Sequence, residues 1–165
     1  MRKFFVIKHP DGKVGPWYLP DDYDRDLVPE EIVIEISDSQ EKALLDDLFE
    51  RLNDGDENVY RDILSILDKY GHSAARQFMY CINKVGEFEK LVGDRYDKAG
   101  FEEDAIRYYI KSANLGDKCG KCKLGQYYAE GKACKQDRRK ARQMLKEAAQ
   151  ECQKVQKYLD QYGLR

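Results

Sequence analysis

Two segments in the C-terminal half of this sequence can be laid on each other, and that self-similarity restricts the fold more than anything else in the chain. The first runs Val92-Gly93-Asp94-Arg95-Tyr96, then Gly100, then Asp104-Ala105-Ile106-Arg107-Tyr108-Tyr109 and Lys111-Ser112-Ala113. The second runs Leu124-Gly125-Gln126-Tyr127-Tyr128, then Gly131, then Lys140-Ala141-Arg142-Gln143-Met144-Leu145 and Glu147-Ala148-Ala149. Gly93 to Gly125 is 32 residues and Ala105 to Ala141 is 36, the extra four falling in the loop Lys132-Ala133-Cys134-Lys135-Gln136. A period of this size belongs to helix-turn-helix solenoids.

Each repeated position has a physical reason. Gly93 and Gly125 fall inside helices, where Gly costs roughly 1 kcal/mol relative to Ala. The return expected for that cost is close backbone approach by the second helix of a hairpin, with Ala105 and Ala141 as the small residues opposite. Tyr96 and Tyr128, three residues further on, stay on the inward face and fill the hairpin. Gly100 and Gly131 suit the left-handed turn after a helix. Asp137 is placed to cap the next helix, as Asp38 is earlier in the chain.

The second segment resembles the Sel1-like repeat along its length, in Leu124-Gly125, Tyr128, Gly131, Asp137, Lys140-Ala141 and Ala148-Ala149. The first, with its shorter loop, is similar to a tetratricopeptide (TPR) repeat. Together they cover about residues 87–152. The resemblance implies a right-handed α-α superhelix of helical hairpins, doing protein-binding adaptor work rather than catalysis. A cysteine-rich secreted branch of that family joins successive helices by disulfides. Its cysteine position is held here by Ala113 and Ala149, so the resemblance does not extend to that branch or to its β-lactam binding.

The N-terminal third mixes strands with a helix. Phe4-Phe5-Val6-Ile7 has strand composition, Asp11-Gly12 supplies hairpin-turn chemistry, and Val14 to Leu19 returns as a second, edge strand. The β-branched run Ile32-Val33-Ile34-Glu35-Ile36 predicts a third strand. Trp17, the single tryptophan, is expected to anchor the core of this small sheet. A helix then starts from Asp38 or Ser39, with Leu44, Leu45, Leu48, Phe49 and Leu52 at helical spacing, and ends at Asn53-Asp54-Gly55. The predicted organisation is an α/β module over 1–54 and a helical-hairpin domain over 55–165. Within the latter, repeats span about 87–116 and 119–152, with a capping helix over 153–162. The stripe Tyr60, Ile63, Leu64, Leu67 predicts one more helix. Another, from about Ser73 and carrying Phe78, Ile82 and Val85, is expected to close at Gly86.

Composition narrows function. The chain is 42% hydrophobic and 36% charged, an ordinary globular balance, and its longest apolar run is about four residues, too short to span a membrane. The start MRKFFVIKHPDG lacks a signal-like apolar core, so the cytoplasm is the expected location. The five cysteines are an odd number without an export signal, so reduced thiols are expected. Net charge is −2, but residues 105–165 hold 15 basic against 6 acidic side chains and residues 1–104 hold 14 against 25. That split fits either internal attraction between the halves or a basic face for an acidic partner. Nucleic acid is not the expected partner, because no recognition motif accompanies the basic half.

No catalytic constellation is legible. The histidines are His9 in a turn and His72 near a helix start, neither with a nucleophile or acid at an interpretable spacing. Gly116, Gly120 and Gly125 fit no nucleotide fingerprint, and no cofactor is implied. Cys119-Gly120-Lys121-Cys122 is a CxxC motif, but a zinc site wants two such pairs and a thioredoxin-like site wants a strand before it. The reading is therefore a non-enzymatic adaptor for a protein or peptide. The alternatives left open are an immunity-type protein neutralising a toxin and a redox or metal protein using Cys119 and Cys122. Two contact regions are candidates. Lys90, Asp94, Asp97 and Lys98 from one repeat, with Gln126 and Glu130 from the next, are expected on the inner groove. Arg138, Arg139 and Arg142 are expected on the loop edge and second helix.

Overall fold

In the computed structural model, which describes residues 2–165, the chain forms two compact units, one through Lys84 and one from Val85 onward. The fold is mainly helical, with eight α-helices and one two-stranded antiparallel sheet among the described residues.

The first unit opens with β1 (Phe4–Lys8) and β2 (Val14–Tyr18), paired antiparallel from Phe4↔Tyr18 to Lys8↔Val14. Their turn is closed by His9 N donating to Lys13 O at 2.7 Å, with Gly12 at φ 88°. Phe4, Val6 and Val14 lie on the buried face; Trp17, opposite Phe5, lies on the other and is 50% exposed. The expectation that Trp17 anchors the core is thus corrected: strand alternation gives the inner face to Phe4 and Val6, and Trp17 sits beside the His9 ring at 6.0 Å.

The expected third strand is also corrected. Glu30–Ile32 is a single 3-10 turn, and Ile34 makes only a bridge to Phe4, with N–O distances of 2.7 and 3.0 Å. Further along β1, the outward carbonyl of Val6 accepts from Gln77 Nε2 at 3.2 Å and lies 3.7 Å from Cys81 Sγ. A helix has taken the edge where a strand would have paired.

Helix α1 (Ser39–Asn53) is capped by Asp38, which accepts from the backbone N–H groups of Gln40 and Glu41. Leu45, Leu48 and Phe49 face inward, and Asn53 fixes the helix end to β2 by exchanging two 2.9 Å hydrogen bonds with Val14. Helices α2 (Tyr60–Asp68) and α3 (His72–Cys81) complete the core with Ile63, Leu67, Phe78 and Met79, each fully buried. Phe78 meets Phe49 edge-on at 5.9 Å. These helices therefore belong with the N-terminal module, and the unit boundary falls at Lys84/Val85 rather than at 54/55. The expected continuation of α3 to Gly86 is corrected too. Asn83, at φ 57°, makes the left-handed turn, and Lys84 N closes it onto Met79 O at 2.8 Å. Asn tolerates that conformation because its short polar side chain bonds locally.

The second unit holds α4 (Val85–Lys98), α5 (Glu102–Asn114), α6 (Lys118–Glu130), α7 (Arg138–Ala148) and α8 (Val155–Gln161). Helices α4 and α5 pair as one hairpin, α6 and α7 as another, and α5 packs on α6. The two hairpins close in the same way. A Cβ on Gly93 would come within 2.7 Å of the Tyr109 ring and 3.3 Å of Ala105 O. A Cβ on Gly125 would come within 2.8 Å of Leu145 and 3.3 Å of Ala141 O. Tyr96 and Tyr128 are half-buried against this core. Gly100 and Gly131 take positive φ at the helix ends, and Asp137 caps α7 through Lys140 N at 2.9 Å. Helix α8 lays Val155 and Leu159 on Ala141, Leu145 and Ala148, and Leu164 joins the same cluster.

Candidate functional site

The first helices of the two hairpins, α4 and α6, share one cavity of about 560 Å³ with the segment between α7 and α8. Lys90 and Asp94 reach it from α4; Cys119, Cys122 and Gln126 reach it from α6; Cys152 belongs to the segment. Three of the residues expected on an inner groove, Lys90, Asp94 and Gln126, are brought together here.

Helical spacing sets the α4 side of the cavity. Lys90 and Asp94 are one turn apart, and their side chains form a 2.6 Å ion pair. The other oxygen of Asp94 accepts from the Tyr109 hydroxyl at 2.8 Å. Burial is the largest single influence and disfavours the Lys90 ammonium, but the hydrogen bond to Asp94 and the attraction of the nearby negative charges together leave the lysine above its ordinary pKa. Burial, then the bond to Asp94, drives the Tyr109 hydroxyl strongly upward, so it serves as a permanent donor. Asp94 therefore ties α4 to α5 while it lines the cavity.

On α6, Asp117 caps the helix through Gly120 N at 2.6 Å, which sets the CxxC residues into the first turns. Cys119 is exposed and Cys122 buried. Burial, then the Asp117 carboxylate, raises the Cys119 thiol. Burial, with Cys152 next, pushes Cys122 up to about 12. Neither thiol has the lowered pKa of an activated nucleophile. The sulfur in contact with Cys122 Sγ is that of Cys152, at 3.7 Å, and Gln126 Nε2 lies 3.6 Å from the same Cys122 sulfur. Among the described residues no group of three or more His, Cys, Asp or Glu side chains is arranged to hold a metal ion.

The remaining expected contact residues lie apart from the cavity. Asp97 accepts from the Tyr127 hydroxyl and from Lys132 Nζ, the latter at 2.8 Å, tying α4 to the second hairpin. Against the burial that would raise it, these bonds hold the Asp97 carboxyl below the ordinary aspartate value. Lys98 is exposed at the end of α4. Glu130 accepts from the Tyr162 hydroxyl. Arg138, Arg139 and Arg142 are exposed on α7, and Arg138 donates to Gly163 O at 3.0 Å.

Sequence reasoning missed the junction where α4, α5 and α6 meet. Ser112, fully buried on α5, donates to Gly86 O at 2.8 Å. A Cβ on Gly120 would stand 2.6 Å from the Ser112 Cβ. A Cβ on Gly86 would meet Asp117 and Leu115 at 3.1 and 3.2 Å. The signal was present in Gly86 and Gly120, two glycines within α4 and α6 with no turn to make. Cys152 gave none, since its partner lies 30 residues away in sequence.

No protein-family model matches the chain, and no curated protein matches it. Among the described residues no helix is long and apolar enough to cross a membrane.

Proposed function

We propose that the chain is a cytoplasmic, non-enzymatic adaptor whose second unit is a short Sel1-like superhelix that binds a protein or peptide. The observation that carries this reading is the shared cavity, in which the first helices of consecutive hairpins offer Lys90, Asp94 and Gln126 to one surface. The like closure at Gly93 and Gly125 supports the repeat assignment. A lysine, an acid and an amide side by side recognise the backbone and charged side chains of a peptide through hydrogen bonds. The raised thiols of Cys119 and Cys122 argue for binding over nucleophilic chemistry.

The test is affinity capture from cells that make the protein, comparing wild type with two variants. K90E/Q126R alters the cavity; R138E/R139E/R142E reverses the exposed face of α7. Loss of a captured partner with the cavity variant alone supports the reading. Loss with the α7 variant alone moves the site to the basic face, and capture unaffected by either ends the adaptor assignment for this unit.

A further inference from the structure

We infer that Cys122 and Cys152 form a reversible intramolecular disulfide under oxidising conditions, pinning the segment before α8 to α6 and fixing one wall of the cavity. The CxxC spacing pointed to Cys119 with Cys122; the geometry points elsewhere. Cys122 Sγ and Cys152 Sγ are already in van der Waals contact at 3.7 Å. A disulfide needs the sulfurs at about 2.05 Å, so side-chain rotation and a shift of under about 2 Å would close it. The two ends differ in a way that permits this. Cys122 is held on a packed helix at 4% exposure, while Cys152 lies in the non-helical stretch between α7 and α8 and is only partly covered. The cavity that both cysteines line also carries Lys123, Lys154 and Glu151 beside the Lys90–Asp94 ion pair, and it gives a small-molecule oxidant a route to the sulfurs.

The oxidant class is a low-molecular-weight disulfide such as oxidised glutathione. The Cys152 thiolate attacks one sulfur of the oxidant, forming a mixed disulfide and releasing one glutathione thiolate. Cys122 then loses its proton to water and attacks the Cys152 sulfur, expelling the second glutathione thiolate. Two protein thiols are oxidised and one glutathione disulfide is reduced to two thiols, so electrons and protons balance. Burial, the largest cause of the raised Cys122 thiol, does not depend on the Cys152 thiol and slows the second step at neutral pH, so the mixed disulfide on Cys152 is the species expected to accumulate first. This inference does not depend on the adaptor reading, because it concerns only the chain's own sulfurs.

The experiment treats the full chain with oxidised glutathione at pH 8 and follows it by intact mass, peptide mapping and thermal melting. Wild type and C119S are expected to lose about 2 Da once any glutathione adduct has resolved. Mapping should join Cys122 to Cys152, and the melting midpoint should rise by several degrees through closure of the intervening loop. C122S should stop at a glutathione adduct on Cys152, and C152S should form no intramolecular bond; melting of the reduced variants checks that they fold. A Cys119–Cys122 bond, a requirement for Cys119, or no intramolecular bond in the folded wild type would each overturn the inference.

Discussion

The carboxylate of Asp97 shows how much one side chain can hold. It receives the Tyr127 hydroxyl and the Lys132 ammonium together, and its pKa is held below the usual aspartate range although burial opposes this. A carboxyl whose folded-state pKa lies below its unfolded value adds stability that is whole above the unfolded value and lost as pH falls through the folded one. Denaturant melts of wild type should therefore weaken below about pH 4, the ordinary aspartate range. D97N should be less stable at neutral pH by about 1 kcal/mol and show a shallower acid decline. Equal acid slopes in the two proteins would remove Asp97 from that role. The sequence marked Asp97 as a groove residue because helical spacing gives a face, but spacing does not say which acids on that face have tyrosines waiting across it. Glycines were easier to read, since a mid-helix Gly is costly wherever it sits and implies a close neighbour. Trp17 was misread because size and apolarity suggest a core position, whereas the pairing register decides which face of a strand is inside.

Helices were the most legible elements, through apolar spacing and short connections, and Gly93 and Gly125 were legible as contact points between them. Helix propensity alone says that Gly→Ala at either site should stabilise by roughly 1 kcal/mol. The packing says the reverse, because the new methyl would press on Tyr109 or Leu145, both fully buried with nowhere to retreat. Overpacking of this kind costs about 1–3 kcal/mol, so G93A and G125A are each expected to be destabilised by a net ~1 kcal/mol in urea melts. A gain in stability at both sites would show that the hairpins do not depend on close approach there. Less legible were features set by competition between elements. Ile32 to Ile36 has the composition of a strand, but nothing in those residues records that Gln77 and Cys81 occupy the carbonyl of Val6. Gly86 was read as a helix stop because glycine often serves as one; the turn was made three residues earlier by Asn83, and Gly86 was spent on close packing.

For the whole molecule the mainly helical class and the N-terminal hairpin could be read from the chain, while the division between units could not. Residues 55–84 have the same helical character as residues 85–165. The pairing of Phe78 with Phe49, of α3 with the edge of β1, and of Lys69 and Tyr70 with Glu41 of α1 assigns them to the first unit. Separately produced fragments 1–84 and 85–165 should each show cooperative thermal melts by circular dichroism. A cut at 54/55 should instead yield a 1–54 fragment without cooperative melting, because Phe49 loses Phe78 and both β1 and α1 lose the helices packed on them. Independent folding of 1–54 would return the boundary to the earlier position.

The lone tryptophan carries a practical consequence. The second unit has none, yet it holds seven of the twelve tyrosines. Light at wavelengths that tyrosine does not absorb therefore excites an indole in the first unit alone, while far-ultraviolet ellipticity is dominated by both sets of helices. The chain thus comes with its own regional label, and a mismatch between those two signals on heating would reveal which half gives way first.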